Sequence, residues 1–160
     1  MIWRYEDLIR SASAFYNVDP DWVSAVLWIE SRGEPEPPPR WEAHKGEHSY
    51  GLGQLLPSTV HWMLDVPSRF PLPDKLRERI REAREAQTKE GESAFTEILH
   101  DPEVNIYLTT AYLRYQLDRY DGNITDAVAA YNAGSVRKKN GAYVNQWHVD
   151  KFHKALDLQA

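Results

Sequence analysis

Apolar positions along this chain recur at helical spacing, and strand-like alternation is not evident. Tyr5, Leu8, Ile9, Ala12, Phe15 and Tyr16 return every three or four residues, which predicts a first helix over about 4–17. A second helix is predicted over residues 19–33, DPDWVSAVLWIESRG. Asp19 suits the N-cap, Pro20 the first helical position and Gly33 the stop. Within it Val23, Val26, Leu27 and Glu30 fall at i, i+3, i+4 and i+7 and share one face. Ser58 or Thr59 caps a short helix reaching about Leu64. The charged stretch 68–100 reads as an amphipathic helix over about 74–89, with Leu76, Ile80, Ala83 and Gln87 on one side. It then breaks at Gly91 and resumes as a short helix over about 95–99. Asp101-Pro102 opens a long helix with Val104, Leu108, Ala111, Tyr112 and Tyr115 as its buried stripe, stopped near Tyr120 by Asp121-Gly122. Thr125 to Tyr131 forms another, whose Ala127, Ala129 and Ala130 allow close helix packing. A last helix covers about 144–156, with Val144, Trp147 and Phe152 as candidate core residues. The expected class is mostly α, as one domain over 1–160 with a solvated helical insertion at 68–100.

Residues 33–49 read as a surface loop, because its prolines and glycines oppose regular helix. Trp41 inside it is either an anchor tying the loop to the body, the preferred reading, or an exposed platform for ligand. Six Trp and nine Tyr can fill a core or line a groove. The net charge of −5 opposes a nucleic-acid groove. There are no cysteines, so neither disulfides nor thiol catalysis contributes. No apolar run is long enough to span a membrane, and the N-terminus has no signal-peptide core. Export by another route, or a mature or excised form, follows from that reading.

Chemistry gathers at few positions. A greasy stripe that turns inward carries Glu30 with it, and an unpaired carboxylate there is costly to ionise. A glutamate held partly protonated suits general acid catalysis. The alternative is a boundary glutamate that reaches water or pairs with Arg32. His44, Glu47 and His48 spell H-x-x-E-H, a zinc-peptidase pattern that needs a helix. Gly46 and the preceding prolines oppose one, so the peptidase reading is a minor alternative. In Ser49-Tyr50-Gly51-Leu52-Gly53-Gln54 two glycines permit a sharp turn, and Gln54 offers both donor and acceptor.

Four motifs in order, Glu30-Ser31-Arg32-Gly33, Ser49 to Gln54, Asp101-Pro102 leading to Asn105-Ile106, and Ala130-Tyr131-Asn132-Ala133-Gly134, resemble the soluble lytic transglycosylase catalytic domain of the lysozyme-like superfamily. The resemblance runs from about Arg4 to Phe152. It implies a lysozyme-like fold with Glu30 as the single catalytic acid. It also implies that Gln54 lines the sugar cleft, that Ser49 lies near bound saccharide, and that the Tyr131 hydroxyl sits beside the acid with Asn132 next to it. Asn105 and Ile106 match a structural pair, and Tyr143 of Tyr143-Val144 an aromatic residue facing the cleft. Gly53 departs from the methionine usual in that turn.

The implied reaction is cleavage of the β-1,4 bond between N-acetylmuramic acid and N-acetylglucosamine with 1,6-anhydro closure. Most glycosidases need two carboxylates, and Glu34, Glu36, Glu42 and Glu47 lie in the loop without an evident position. A lone acid fits the anhydro-forming reaction. No metal or cofactor is called for. The expected partner is the peptidoglycan glycan strand, met by a monomer at the cell wall or periplasm, and a phage particle or secretion machine would account for the missing signal. A goose-type-like muramidase and a non-catalytic adaptor module of such a particle are the alternatives.

Overall fold

The fold is that of a computed structural model, which describes residues 3–90 and 93–159. After a 3-10 turn at Trp3–Tyr5 come helices α1 (Glu6–Tyr16) and α2 (Pro20–Ser31), then the strands β1 (Arg40–Glu42) and β2 (Glu47–Ser49). Helices α3 (Pro57–Asp65), α4 (Asp74–Glu90), α5 (Ser93–Ile98), α6 (Pro102–Arg119) and α7 (Ile124–Ala133) follow. Strands β3 (Lys138–Lys139) and β4 (Ala142–Tyr143) and helix α8 (Gln146–Asp157) complete the order. The mostly helical expectation holds. The strands form two antiparallel hairpins, β1 with β2, where the sequence suggested only a surface loop, and β3 with β4.

The chain divides into two compact units, Met1–Ile29 with Thr110–Ala160, and Glu30–Thr109. In the first, the Asp19 carboxylate accepts the Asp21 amide at 2.9 Å, the capping that starts α2. Val23, Val26 and Leu27 are at most 1% exposed, so the stripe of α2 faces inward as its spacing requires. Helix α7 starts at Asn123, whose side chain accepts the Asp126 amide, and ends at Gly134 in the left-handed region at φ 87°. Its Ala127, Ala129 and Ala130 are fully buried and it packs on α8. On α8 the inward face is His148, Val149, Phe152 and Ala155. Trp147 and the preceding Val144 are instead exposed, as is Phe15 on α1. Trp147 lies two positions from Val149, which is off a helical stripe, and Val144 precedes the helix altogether.

In the second unit, α3 begins at Pro57 after Leu56, with no side-chain cap. Ser58 is occupied otherwise: its amide and hydroxyl both donate to Glu47, at 3.0 and 2.8 Å. Helix α4 packs on α5. Leu76, Ile80, Phe95 and Leu99 are buried, so this charged stretch contributes core as well as a solvated face. The side chain of Gln87 and the break at Gly91 lie outside the described residues. Among the described residues no helix is long and apolar enough to cross a membrane.

Candidate active site

Glu30 occupies the last turn of α2, and its side chain is 3% exposed. Burying a lone charge is expensive, so a charge in such a place is expected to be paired. One partner is Arg40 on β1, whose Nη2 donates to Glu30 Oε2 at 3.1 Å. The same guanidinium donates through Nε to Glu42 Oε1 at 2.8 Å. The carboxylate is therefore paired, and Arg40 is a partner that the sequence reading did not name. Burial pulls Arg40 toward its neutral form, but Glu30 and Glu42 outweigh it and hold the guanidinium above its ordinary value.

The hairpin explains how Arg40 and Glu42 come to act together. Alternation along a strand puts positions 40 and 42 on one side and 41 on the other. Trp41 stands opposite His48, with ring centroids 5.1 Å apart. Trp41 is 56% exposed, so it does not anchor the hairpin. It borders a groove of about 500 Å³ whose walls include His48, Tyr50, Ser58, His61 and Thr96. His61 stacks on Phe95 at 4.3 Å, and burial lowers its proton affinity. The H-x-x-E-H run lies on this hairpin and not on a helix. His44 is in the turn, Glu47 is bound to Ser58, and His48 lies against Trp41. The helical face that a zinc peptidase needs is therefore missing from this run.

Ser49, opposite Arg40 in the hairpin, is 1% exposed. Its hydroxyl lies 2.8 Å from Gln54 Oε1 and 3.1 Å from Glu42 Oε1. Gln54 is also buried, and its amide nitrogen donates to Gly51 O at 3.0 Å. The turn between them is held from α6. Asn105 Oδ1 accepts the Gly53 amide at 2.8 Å, while its Nδ2 donates to Leu99 O at 2.8 Å and Tyr50 O at 3.2 Å. Gly51 sits at φ 77°, and a Cβ there would lie 2.2 Å from Asn105 Nδ2 and from Leu99 O. Glycine is thus required at 51 both by conformation and by space. Ser49 and Gln54 therefore meet, and Glu42 joins them to Arg40 and Glu30 in one hydrogen-bonded chain.

The other predicted residues belong to the first unit. Tyr131 on α7 is buried, its ring 5.2 Å from that of Tyr112. Asn132 Oδ1 accepts from Asn145 Nδ2 at 2.9 Å, and Asn145 also donates to Ala129 O. Tyr143 on β4 gives its hydroxyl proton to Asp126. Burial, then the Asp126 hydrogen bond and charge, pushes the Tyr143 phenol up to about 12. Sequence reasoning missed Arg40, Glu42 and Asp126 as partners. A signal for the first two exists in their i, i+2 spacing directly after the proline run, which marks an extended segment.

Residues 80–151 match the family described as the Transglycosylase SLT domain. That segment contains Asn105, Tyr131, Asn132 and Tyr143 but stops short of Glu30, Ser49 and Gln54. The chain is 30% identical over 152 residues to a protein of Enterobacteria phage PRD1 named Transglycosylase, an alignment covering 95% of this chain and 43% of the phage protein. Its fold is similar to that of lytic transglycosylase Slt from Pseudomonas aeruginosa, solved as an inactive mutant. The TM-score is 0.58 and the identity 21%, over 94% of this chain and 21% of that one. The chain thus spans less than half the length of either relative. Residues 80–151 thus match the Transglycosylase SLT domain, and the chain as a whole is similar to a phage transglycosylase in sequence and to a lytic transglycosylase in fold.

Proposed function

We propose that the chain is a peptidoglycan lytic transglycosylase module with Glu30 as its acid and base. The observation that carries this reading is the 3% exposed carboxylate at the end of an otherwise apolar helix face, joined through Arg40 and Glu42 to the Ser49–Gln54 pair. Neutral Glu30 protonates the oxygen linking N-acetylmuramic acid to N-acetylglucosamine, and that C–O bond breaks. The carboxylate left behind removes the proton from the muramyl C6 hydroxyl. The C6 oxygen then bonds to C1, closing the 1,6-anhydro ring without consuming water. The substrate's acetamido group supports the cationic centre, as in substrate-assisted glycosidases. Ser49, Gln54, Tyr131, Asn132 and Tyr143 enter as the residues that hold the saccharide. The names of the phage and Pseudomonas relatives support this reaction class, and the phage relative supports delivery to the wall as part of a particle. Replacing Glu30 by Gln keeps the shape and removes the proton. Glu30→Gln is expected to lose at least roughly a hundredfold in wall lysis while unfolding at a similar temperature, since general acid catalysis is worth about 10²–10⁴. Near wild-type lysis by Glu30→Gln would refute the assignment.

One observation favours a second reading. Glu42 is positioned on a strand and bonded to both Arg40 and Ser49, so a second carboxylate is ordered near Glu30. A muramidase uses such a group to orient water. The product separates the two, a free reducing end in one case and an anhydro end in the other.

A further inference from the structure

Trp41 projects from the β1–β2 hairpin on the side away from Arg40, Glu42 and Ser49, since alternate strand positions face opposite ways. Its backbone is held in place: β1 runs in register with β2, and the neighbouring Arg40 is bonded to Glu30 and Glu42. The indole is nonetheless 56% exposed, with the edge of the His48 ring against it. An indole held out from an ordered backbone is a ready stacking surface. It borders the groove of about 500 Å³ that β2 shares with Ser58 and His61 of α3 and Thr96 of α5. Among the described residues the wall of this groove contains none of Glu30, Arg40, Glu42, Ser49 and Gln54, so the groove is separate from that hydrogen-bonded chain.

The chemistry of the wall narrows what fits. Among the described residues it carries no lysine or arginine, and Glu47 is its carboxylate. Anions, such as a phosphate or the carboxylates of a wall peptide, therefore meet repulsion without a counter-charge from those side chains. Glu47 Oε1 already accepts the Ser58 amide and hydroxyl, which fixes β2 against the start of α3. His61 stacks on Phe95, and burial lowers its proton affinity, so near neutral pH it is a neutral ring with one donor and one acceptor. A flat ring with one apolar face and hydroxyl and amide groups around its edge matches an indole face beside imidazole and hydroxyl groups. We propose that this groove is a second saccharide site, in which one N-acetylhexosamine ring of a glycan strand stacks on Trp41 and its polar edge meets His48, Ser58 and His61. The choice of sugar rests on the peptidoglycan reading of the chain, and the groove adds a hold on the strand outside the Glu30 chain.

The test is an NMR titration of the whole chain with the N-acetylglucosamine trimer. It reads the Trp41 indole N–H and the Ser58 amide at the groove, and the Gly53 amide beside Gln54. The Trp41 and Ser58 signals are expected to move together along one binding curve. In Trp41→Ala the Ser58 curve is expected to need about tenfold more trimer, the scale for truncating an aromatic anchor, while the Gly53 curve stays in place. Because Trp41 is exposed, its truncation opens no core cavity. Trp41→Phe, which keeps a stacking face, is expected to stay nearer wild type. A Gly53 response with Trp41 and Ser58 unmoved would overturn the groove and leave the proposed function standing. A Ser58 curve indifferent to Trp41→Ala would overturn it too, as would a response to a free wall peptide in place of the trimer. Movement at Trp41 and Ser58 with Gly53 unmoved would support the groove and count against Gln54 as a saccharide contact.

Discussion

Asn105 Oδ1 accepts the backbone amide of Gly53 at 2.8 Å, across 52 residues of sequence. The same side chain donates to the carbonyls of Tyr50 and Leu99, and its oxygen also accepts the Thr109 hydroxyl. One fully buried amide therefore satisfies three backbone groups around the turn that carries Gln54. Asn105→Ala leaves those groups without their partner, and each buried unsatisfied group costs about 1–3 kcal/mol. Urea unfolding of Asn105→Ala should show a loss of at least that size. Wild-type stability would mean that the turn holds itself.

Gly51 and Gly46 offer a controlled pair. Both sit in the left-handed region, at φ 77° and 70°. A Cβ at 46 meets nothing within 4 Å, whereas one at 51 meets Asn105 and Leu99 at 2.2 Å. Gly46→Ala should therefore cost only the backbone strain, of order 1 kcal/mol. Gly51→Ala should cost several-fold more in the same denaturant series, and should disturb Gln54. Equal losses would show that the approach to Asn105 is not tight.

Tyr143 makes a pH prediction. Its hydroxyl donates to Asp126, and burial with that carboxylate raises the phenol to about 12 from an ordinary value of 10. The folded value lies above the unfolded one, so the protonated phenol favours the fold. That contribution is fully present below pH 10 and is lost as pH climbs toward 12. Absorbance at 295 nm, taken as the difference between wild type and Tyr143→Phe, should place this phenol near the top of the tyrosine range. Asp126→Asn should bring it back down. An unchanged midpoint in Asp126→Asn would remove Asp126 as a cause.

Much of this was legible in the sequence where a residue's neighbours lie within one helical turn. Asp19, Val23, Val26 and Leu27 define α2 by capping and period, and the same period puts Glu30 indoors. The small residues of α7 announce close packing and are fully buried. The hairpins escaped because strands of two or three residues are too short to display alternation. Arg40 escaped for a related reason: its bond to Glu30 joins residues ten apart, one at the end of a helix and the other on a short strand, beyond the reach of any helical period. Trp41 and Trp147 look like core by size, yet each stands on the outward side of its element, with exposure of 56% for both. Side-chain hydrophobicity alone does not report which face a short strand or a helix end presents.

The central claim is a single acid that closes an anhydro ring, and the mass of the products tests it most directly. Purified peptidoglycan should be digested with the whole chain and the released muropeptides weighed, with Glu30→Gln alongside. The account predicts muropeptides lighter than their hydrolysed counterparts by about one water, no new reducing ends, and no release by Glu30→Gln. Full-mass products carrying new reducing ends would contradict it and make the protein a muramidase, with Glu42 the first residue to examine.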